Sequence, residues 1–160
     1  MKLNTKILLL ITLVFIASVG IAVAEDATVA PYTFTVPDGY TIATASDTTC
    51  AMQKDNIHAV SFATEVGDDL ELAKQGFVDK GYTLVGEQEI QYNDIQINLQ
   101  AFSVEQGGTT LYTYNYVVLS QDGNFVVTVV TDDAEFNTDL NTATAEDNPA
   151  VTIFDTIQVN

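Results

Sequence analysis

The chain has 160 residues, 47% of them hydrophobic, and its 22 acidic residues against five basic ones give a formal net charge of −17 at pH 7. This length suits one domain with its own core. The charge disfavours nucleic acids and anionic membrane surfaces as partners, because both are bound through basic patches. A lone cysteine, Cys50, excludes an intramolecular disulfide, and its strand-like neighbours predict a buried, inert thiol, with pairing between chains as the alternative.

The N-terminus has the pattern of a secretory signal peptide, 1–24. Lys2 and Lys6 precede an apolar run over 7–21 and a small-x-small end at 22–24, so we expect export with cleavage after Ala24. The alternative is an uncleaved membrane anchor, because the uncharged stretch approaches the length that spans a bilayer. The rest, 25–160, is expected to be a single domain outside the cytoplasm, secreted or at the cell surface, with three lysines against all 22 carboxylates, a formal charge of −19.

Strand signals open the mature chain. Alternation predicts a strand over 32–36 that ends at the turn Pro37-Asp38-Gly39, and a hairpin made of 48–54 and 58–64. His58 is the single histidine. Without a second histidine or another cysteine to share a metal, zinc and copper sites lose most of their support. We therefore expect His58 at the surface or at a strand edge.

An amphipathic helix is predicted over 69–80. Apolar residues recur there at helical spacing, namely Leu70, Ala73 and Phe77. Asp68 and Glu71 have the spacing of a capping box at its start. Gly81 can take the left-handed conformation that ends a helix.

The pattern then returns to period two. We expect strands over 82–91 and 95–104, followed by a central hairpin over 110–131 that turns at Asp122-Gly123. A polar loop leads from there to a short helix over 149–156, because Asn148 followed by Pro149 is a helix-start signal.

The central hairpin places three tyrosines on one face, Tyr112, Tyr114 and Tyr116. Both faces of the hairpin are expected to be largely covered, and the tyrosine face is the better candidate for partial exposure. Tyrosine offers a large contact area with a polar tip, so this face is a candidate binding surface. The alternative is that the rings pack under a helix.

The order of these elements resembles the Mog1/PsbP/DcrB-like family. The resemblance rests on F-x-V-P-x-G-Y at 34–40, on the Gly81-Tyr82 helix end and on the IFDTI segment at 153–157. It implies an α+β domain, a twisted and mainly antiparallel sheet with helices packed on it in an α/β/α sandwich. It also implies a non-catalytic accessory or binding protein. No functional residue of the family maps onto this chain.

Catalytic motifs are missing from the sequence. It has no G-x-S-x-G elbow for a nucleophile and no glycine-rich phosphate loop. We therefore expect no enzyme, no catalytic residue and no cofactor. The expected function is that of an exported accessory or binding domain for an unknown protein or small-molecule partner, with membrane contact only through an uncleaved N-terminal segment.

The alternative function is a calcium-binding or metal-dependent protein that uses the acidic loop 132–139. Oxygen ligands at alternate positions resemble the first half of a calcium loop, namely Asp133, Glu135, Asn137 and Asp139. The pattern then departs from such a loop, because Thr138 stands where the sharp turn needs glycine and Thr144 where a bidentate glutamate belongs.

Overall fold

A computed structural model describes residues 25–133 and 143–160. A seven-stranded antiparallel sheet forms the centre of the domain, with a three-stranded sheet and one helix on one face and a second helix on the other. The described ranges contain no helix that is long and apolar enough to cross a membrane.

The large sheet has the order β3-β4-β5-β9-β8-β7-β6. Its strands are β3 (Thr41–Ala45), β4 (Thr49–Gln53), β5 (Ala59–Thr64), β6 (Thr83–Tyr92), β7 (Ile95–Gln106), β8 (Thr109–Val118) and β9 (Phe125–Thr131). The predicted central hairpin is thus β8 paired with β9, in the register Tyr114 opposite Val129 and Tyr116 opposite Val127. Tyrosine and threonine are frequent in β8 and valine in β9, because such side chains suit a pleated, covered surface.

One face of this sheet, called here the inner face, carries most of the core. A small sheet of β1 (Asp26–Val29), β2 (Tyr32–Thr35) and β10 (Gln158–Val159) covers part of it, and α2 (Pro149–Thr156) lies beside that sheet. Phe34 of β2 packs on Phe62 at a ring distance of 4.7 Å, and Tyr32 packs edge-on against Phe125 at 4.9 Å. Burying such aromatic pairs stabilises the domain.

The opposite, outer face carries α1 (Leu70–Asp79). Phe77 of this helix stacks on Phe102 of β7 at 4.6 Å, and Gly81 after the helix has the predicted left-handed backbone with φ +91°. The cap lies one residue later than the sequence predicted. Asp69, rather than Asp68, accepts the backbone N–H of Leu72 at 2.9 Å, because Asp69 directly precedes the first helical residue.

Several elements agree with the sequence and others were not foreseen. The helix over 149–156 forms with Asn148 as its cap. The strands β1, β3 and β10 were not predicted, because they are short and each is defined by its pairing with another strand rather than by a local pattern. The predicted signal peptide, 1–24, lies outside the described residues.

Candidate functional site

The tyrosine face of β8 is part of the core. Tyr114 and Tyr116 are 0% exposed, and Tyr112 is partly buried against the core. The expectation of partial exposure was therefore wrong for Tyr114 and Tyr116, whose rings are packed in the core as in the alternative, whereas Tyr112 is partly exposed. These side chains point to the inner face, which the small sheet and α2 cover, and a ring that is fully covered cannot contact a partner.

Buried tyrosines need hydrogen bonds for their phenol groups. The Tyr116 hydroxyl donates to the carbonyl oxygen of Ala143 at 3.1 Å and accepts from the Asn148 side-chain amide at 2.7 Å. Burial raises the pKa of Tyr116 above its ordinary value, so the phenol stays neutral at physiological pH. Tyr116 thus joins the central sheet to the start of α2.

Of the acidic loop 132–139, only Asp132 and Asp133 are among the described residues. Asp133 follows the end of β9, where its backbone N–H donates to the Thr131 hydroxyl at 3.1 Å. The three other predicted calcium ligands, Glu135, Asn137 and Asp139, lie outside the described residues. Within the described parts of the chain, no three His, Cys, Asp or Glu side chains are grouped to hold a metal ion. The calcium site remains a prediction.

His58 lies between two carboxylates at one end of the sheet. Its Nδ1 is 2.8 Å from Asp55 Oδ2, and its Nε2 is 3.4 Å from Asp132 Oδ1. The Asp55 carboxylate also accepts the backbone N–H groups of Ile57 and His58, both at 2.8 Å. The imidazole therefore joins the β4–β5 turn to the end of β9.

The same contacts set the protonation of Asp55. Its partial burial would raise the pKa of this carboxyl, but hydrogen bonds from the His58 and Ile57 backbones and from the His58 ring bring the pKa below its usual value. Burial, and to a smaller extent the charge of Asp55, raises the pKa of Tyr40 to about 12. These groups therefore keep fixed charge states near neutral pH, with Asp55 ionised and Tyr40 neutral.

The pairing of strands explains why the sequence did not reveal this cluster. The sequence indicated Asp55 as part of a bend and His58 as a surface residue, but Asp132 is far away along the chain. Because β5 pairs with β9, Ala59 lies opposite Val130 and the chain ends beyond them come together. To predict the contact between His58 and Asp132 from the sequence, one would have to know that β5 pairs with β9 in this register. Alternation with a period of two does not give the pairing register.

Cys50 lies on β4 in the covered interior. Its side chain is 0% exposed, and burial, with a smaller effect from Glu25, raises the pKa of the thiol to about 11. Since the thiolate is the reactive form of cysteine, this thiol is a poor nucleophile in the folded protein. The predicted buried cysteine is confirmed.

Comparison with known proteins identifies similar folds among solved structures, but no similar sequence. No family model and no curated protein matches the sequence. The solution structure of cyanobacterial PsbP from Synechocystis is similar with a TM-score of 0.54 at 12% identity, covering 92% of this chain and 99% of that chain. A crystal structure of a protein from Bacteroides thetaiotaomicron is similar with a TM-score of 0.50 at 8% identity, covering 84% of this chain but 47% of that chain. The chain therefore has the PsbP/Mog1-like fold that the sequence resemblance implied.

Proposed function

We propose that this protein is a non-catalytic accessory domain that acts outside the cytoplasm by binding another protein. The observation that carries the proposal concerns Cys50 and His58, the thiol and the imidazole of this chain. Both side chains are engaged in contacts within the fold. Cys50 is fully buried, and the His58 ring is engaged by Asp55 and Asp132. Nucleophilic and acid–base catalysis both require such groups to face a substrate.

The excess of negative charge favours a partner with a basic surface. The mature chain has three lysines, Lys54, Lys74 and Lys80, against 22 carboxylates. Such a surface repels polyanions and attracts basic surfaces, and it speeds association with a basic partner at low ionic strength. The proposed partner is therefore a protein with a basic contact surface rather than a nucleic acid or an anionic bilayer.

Complementation of a deletion strain tests the absence of catalysis. A variant carrying Cys50→Ala and His58→Asn should restore the function of the wild-type gene, because neither side chain is expected to act on a substrate. Thermal unfolding of the purified variant must show that it is folded. A folded variant that fails to complement would overturn the proposal, since it would show that a thiol or an imidazole is needed for more than stability.

Cross-linking in intact cells tests the partner. An amine-reactive cross-linker can attach the mature domain only at its three lysines and its N-terminus, so the linked peptides report directly on the contact surface. We expect one recurrent basic protein whose yield falls as salt is raised. Lysine-to-arginine variants retain the charge but leave only the N-terminal amine as an attachment point, and they provide the matched control. Absence of a recurrent, salt-sensitive partner would contradict the proposal.

A further inference from the structure

The helix α1 is held to the sheet by a small apolar contact. Gly76 is its only buried residue, and two of its larger apolar side chains, Leu72 and Val78, are 48% and 42% exposed. In α2, by contrast, Ala150, Val151, Ile153 and Phe154 are all buried. Segments with few buried apolar contacts open at a lower free energy than the global unfolding of a domain.

Contacts of several kinds hold α1 in place. Phe77 stacks on Phe102 and contacts Tyr82 at 5.3 Å. Lys74 Nζ bonds Glu71 at 2.7 Å within the helix and Glu87 of β6 at 3.1 Å. The glutamates are largely exposed, and exposed ion pairs contribute little because water and salt screen them. The Phe77 ring is therefore the main anchor.

A further contact is made by a buried amide beneath the helix start. Gln100 of β7 is 3% exposed, and its Nε2 donates to the Leu70 carbonyl oxygen at 3.1 Å. That acceptor fixes which end of the amide points at the helix. The other end, Oε1, is buried and has no hydrogen-bond partner among the described residues. An unpaired buried acceptor destabilises the closed state, because the oxygen would be hydrated if the helix moved away.

Gln100 belongs to a row of hydrogen-bonding side chains across the outer face. Asn115 lies directly opposite Gln100, Thr128 opposite Asn115, and Ser61 opposite Thr128. The Thr128 hydroxyl donates to Asn115 Oδ1 at 2.9 Å, and both side chains are buried. The outer face of the sheet is therefore partly polar from Gln100 onward.

The segment that carries α1 lies between two residues with left-handed backbone. Glu65, directly after β5, has φ +59°, and Gly81, directly after the helix, has φ +91°. Residues at the ends of elements commonly absorb the dihedral change when a segment moves as a unit. A glutamate in the left-handed region is strained, and opening can relieve that strain.

We propose that α1 is a cover that opens on its own while the sheet stays folded, turning at Glu65 and Gly81. Opening exposes the buried side chains of Gln100 and Phe102 on β7, which contact α1 on the outer face. This motion requires no partner, so its test is independent of the test of the proposed function.

Native-state hydrogen exchange of the full chain tests the proposal. Amides of α1 should exchange at least about tenfold faster than those of β8 and β9, with a weaker dependence on denaturant, because a sub-global opening exposes less surface. If the α1 amides follow the same denaturant dependence as the β8 and β9 amides, α1 opens only by global unfolding and the proposal is overturned.

Two variants sharpen the test. Ile153→Val weakens the core under α2, so exchange of β9 amides should rise several-fold while α1 exchange stays unchanged; a parallel rise in α1 would contradict independent opening. Phe77→Leu removes the ring stacked on Phe102, so α1 exchange should rise several-fold and keep its weak dependence on denaturant. Unchanged α1 exchange in that variant would refute the role of this ring as the main anchor.

Discussion

Asn148 donates its side-chain amide to the Tyr116 hydroxyl at 2.7 Å, and the same amide donates to the Ala143 carbonyl at 3.1 Å. The side-chain oxygen of Asn148 accepts the backbone N–H of Ala150. One buried residue thus caps α2 and links it to the central strand β8. The cap and the core are coupled through the phenol of Tyr116.

Removal of this link should destabilise the domain. For Tyr116→Phe we expect a loss of about 1–2 kcal/mol, because the buried amide of Asn148 loses an acceptor. Asn148→Ala should cost about 2–3 kcal/mol, because the helix cap is lost as well. Urea unfolding of both single variants and the double variant measures these values, and the double should cost less than the sum. Tyr112→Phe is the control, with an expected change within about 0.5 kcal/mol. Additive effects would show that the two residues are not coupled.

Local signals predicted this part of the fold well. Asn148 followed by Pro149 indicated the start of α2, and the helix has the predicted bounds 149–156. Such signals succeed because a cap and a fixed proline φ act within a few residues. The Leu70–Asp79 helix was found for the same reason, with its cap displaced by one residue.

Long-range relations could not be predicted in this way. Alternation correctly placed Tyr112, Tyr114 and Tyr116 on one face. Which face is covered depends on elements that are distant in the sequence. For example, the Tyr32 hydroxyl donates a hydrogen bond to the Gly123 carbonyl, 91 positions away. The contact between His58 and Asp132 likewise depends on the β5–β9 register. Pairing of this kind is set by packing of the whole sheet.

The buried thiol gives an alkaline pH dependence. The folded pKa of Cys50, about 11, lies above its ordinary value of 9.0. Its contribution to stability is therefore complete below pH 9.0 and is lost as the pH rises through about 11. We expect Cys50→Ala to flatten the fall in urea stability across this range. Thiol labelling at pH 8 should proceed only as fast as the protein unfolds, and fast labelling of the native protein would contradict the assignment.

The Asp55 turn gives an acid pH dependence of opposite sign. Because its folded pKa is depressed, Asp55 stabilises the fold above its unfolded pKa, and this stability is lost as the pH falls through the folded pKa. The side chain is about half exposed, so Asp55→Asn should cost no more than about 1 kcal/mol at pH 7. The deficit should vanish at low pH. Asp94→Asn, which removes an equal charge from another turn, should show no such pH-dependent deficit, and a matching effect there would indicate a general charge effect instead.

Phe62 is the centre of the aromatic contacts on the inner face. Its ring lies 4.7 Å from Phe34, 5.1 Å from Phe125 and 5.8 Å from Tyr32, and its side chain is fully buried. Phe62→Ala should therefore cost about 3–5 kcal/mol, because it removes apolar burial and leaves a cavity between the two sheets. Leu119→Ala, at a side chain 45% exposed, should change stability by no more than about 0.5 kcal/mol. Equilibrium urea unfolding distinguishes the two, and equal losses would mean that the sheets are not joined through this ring.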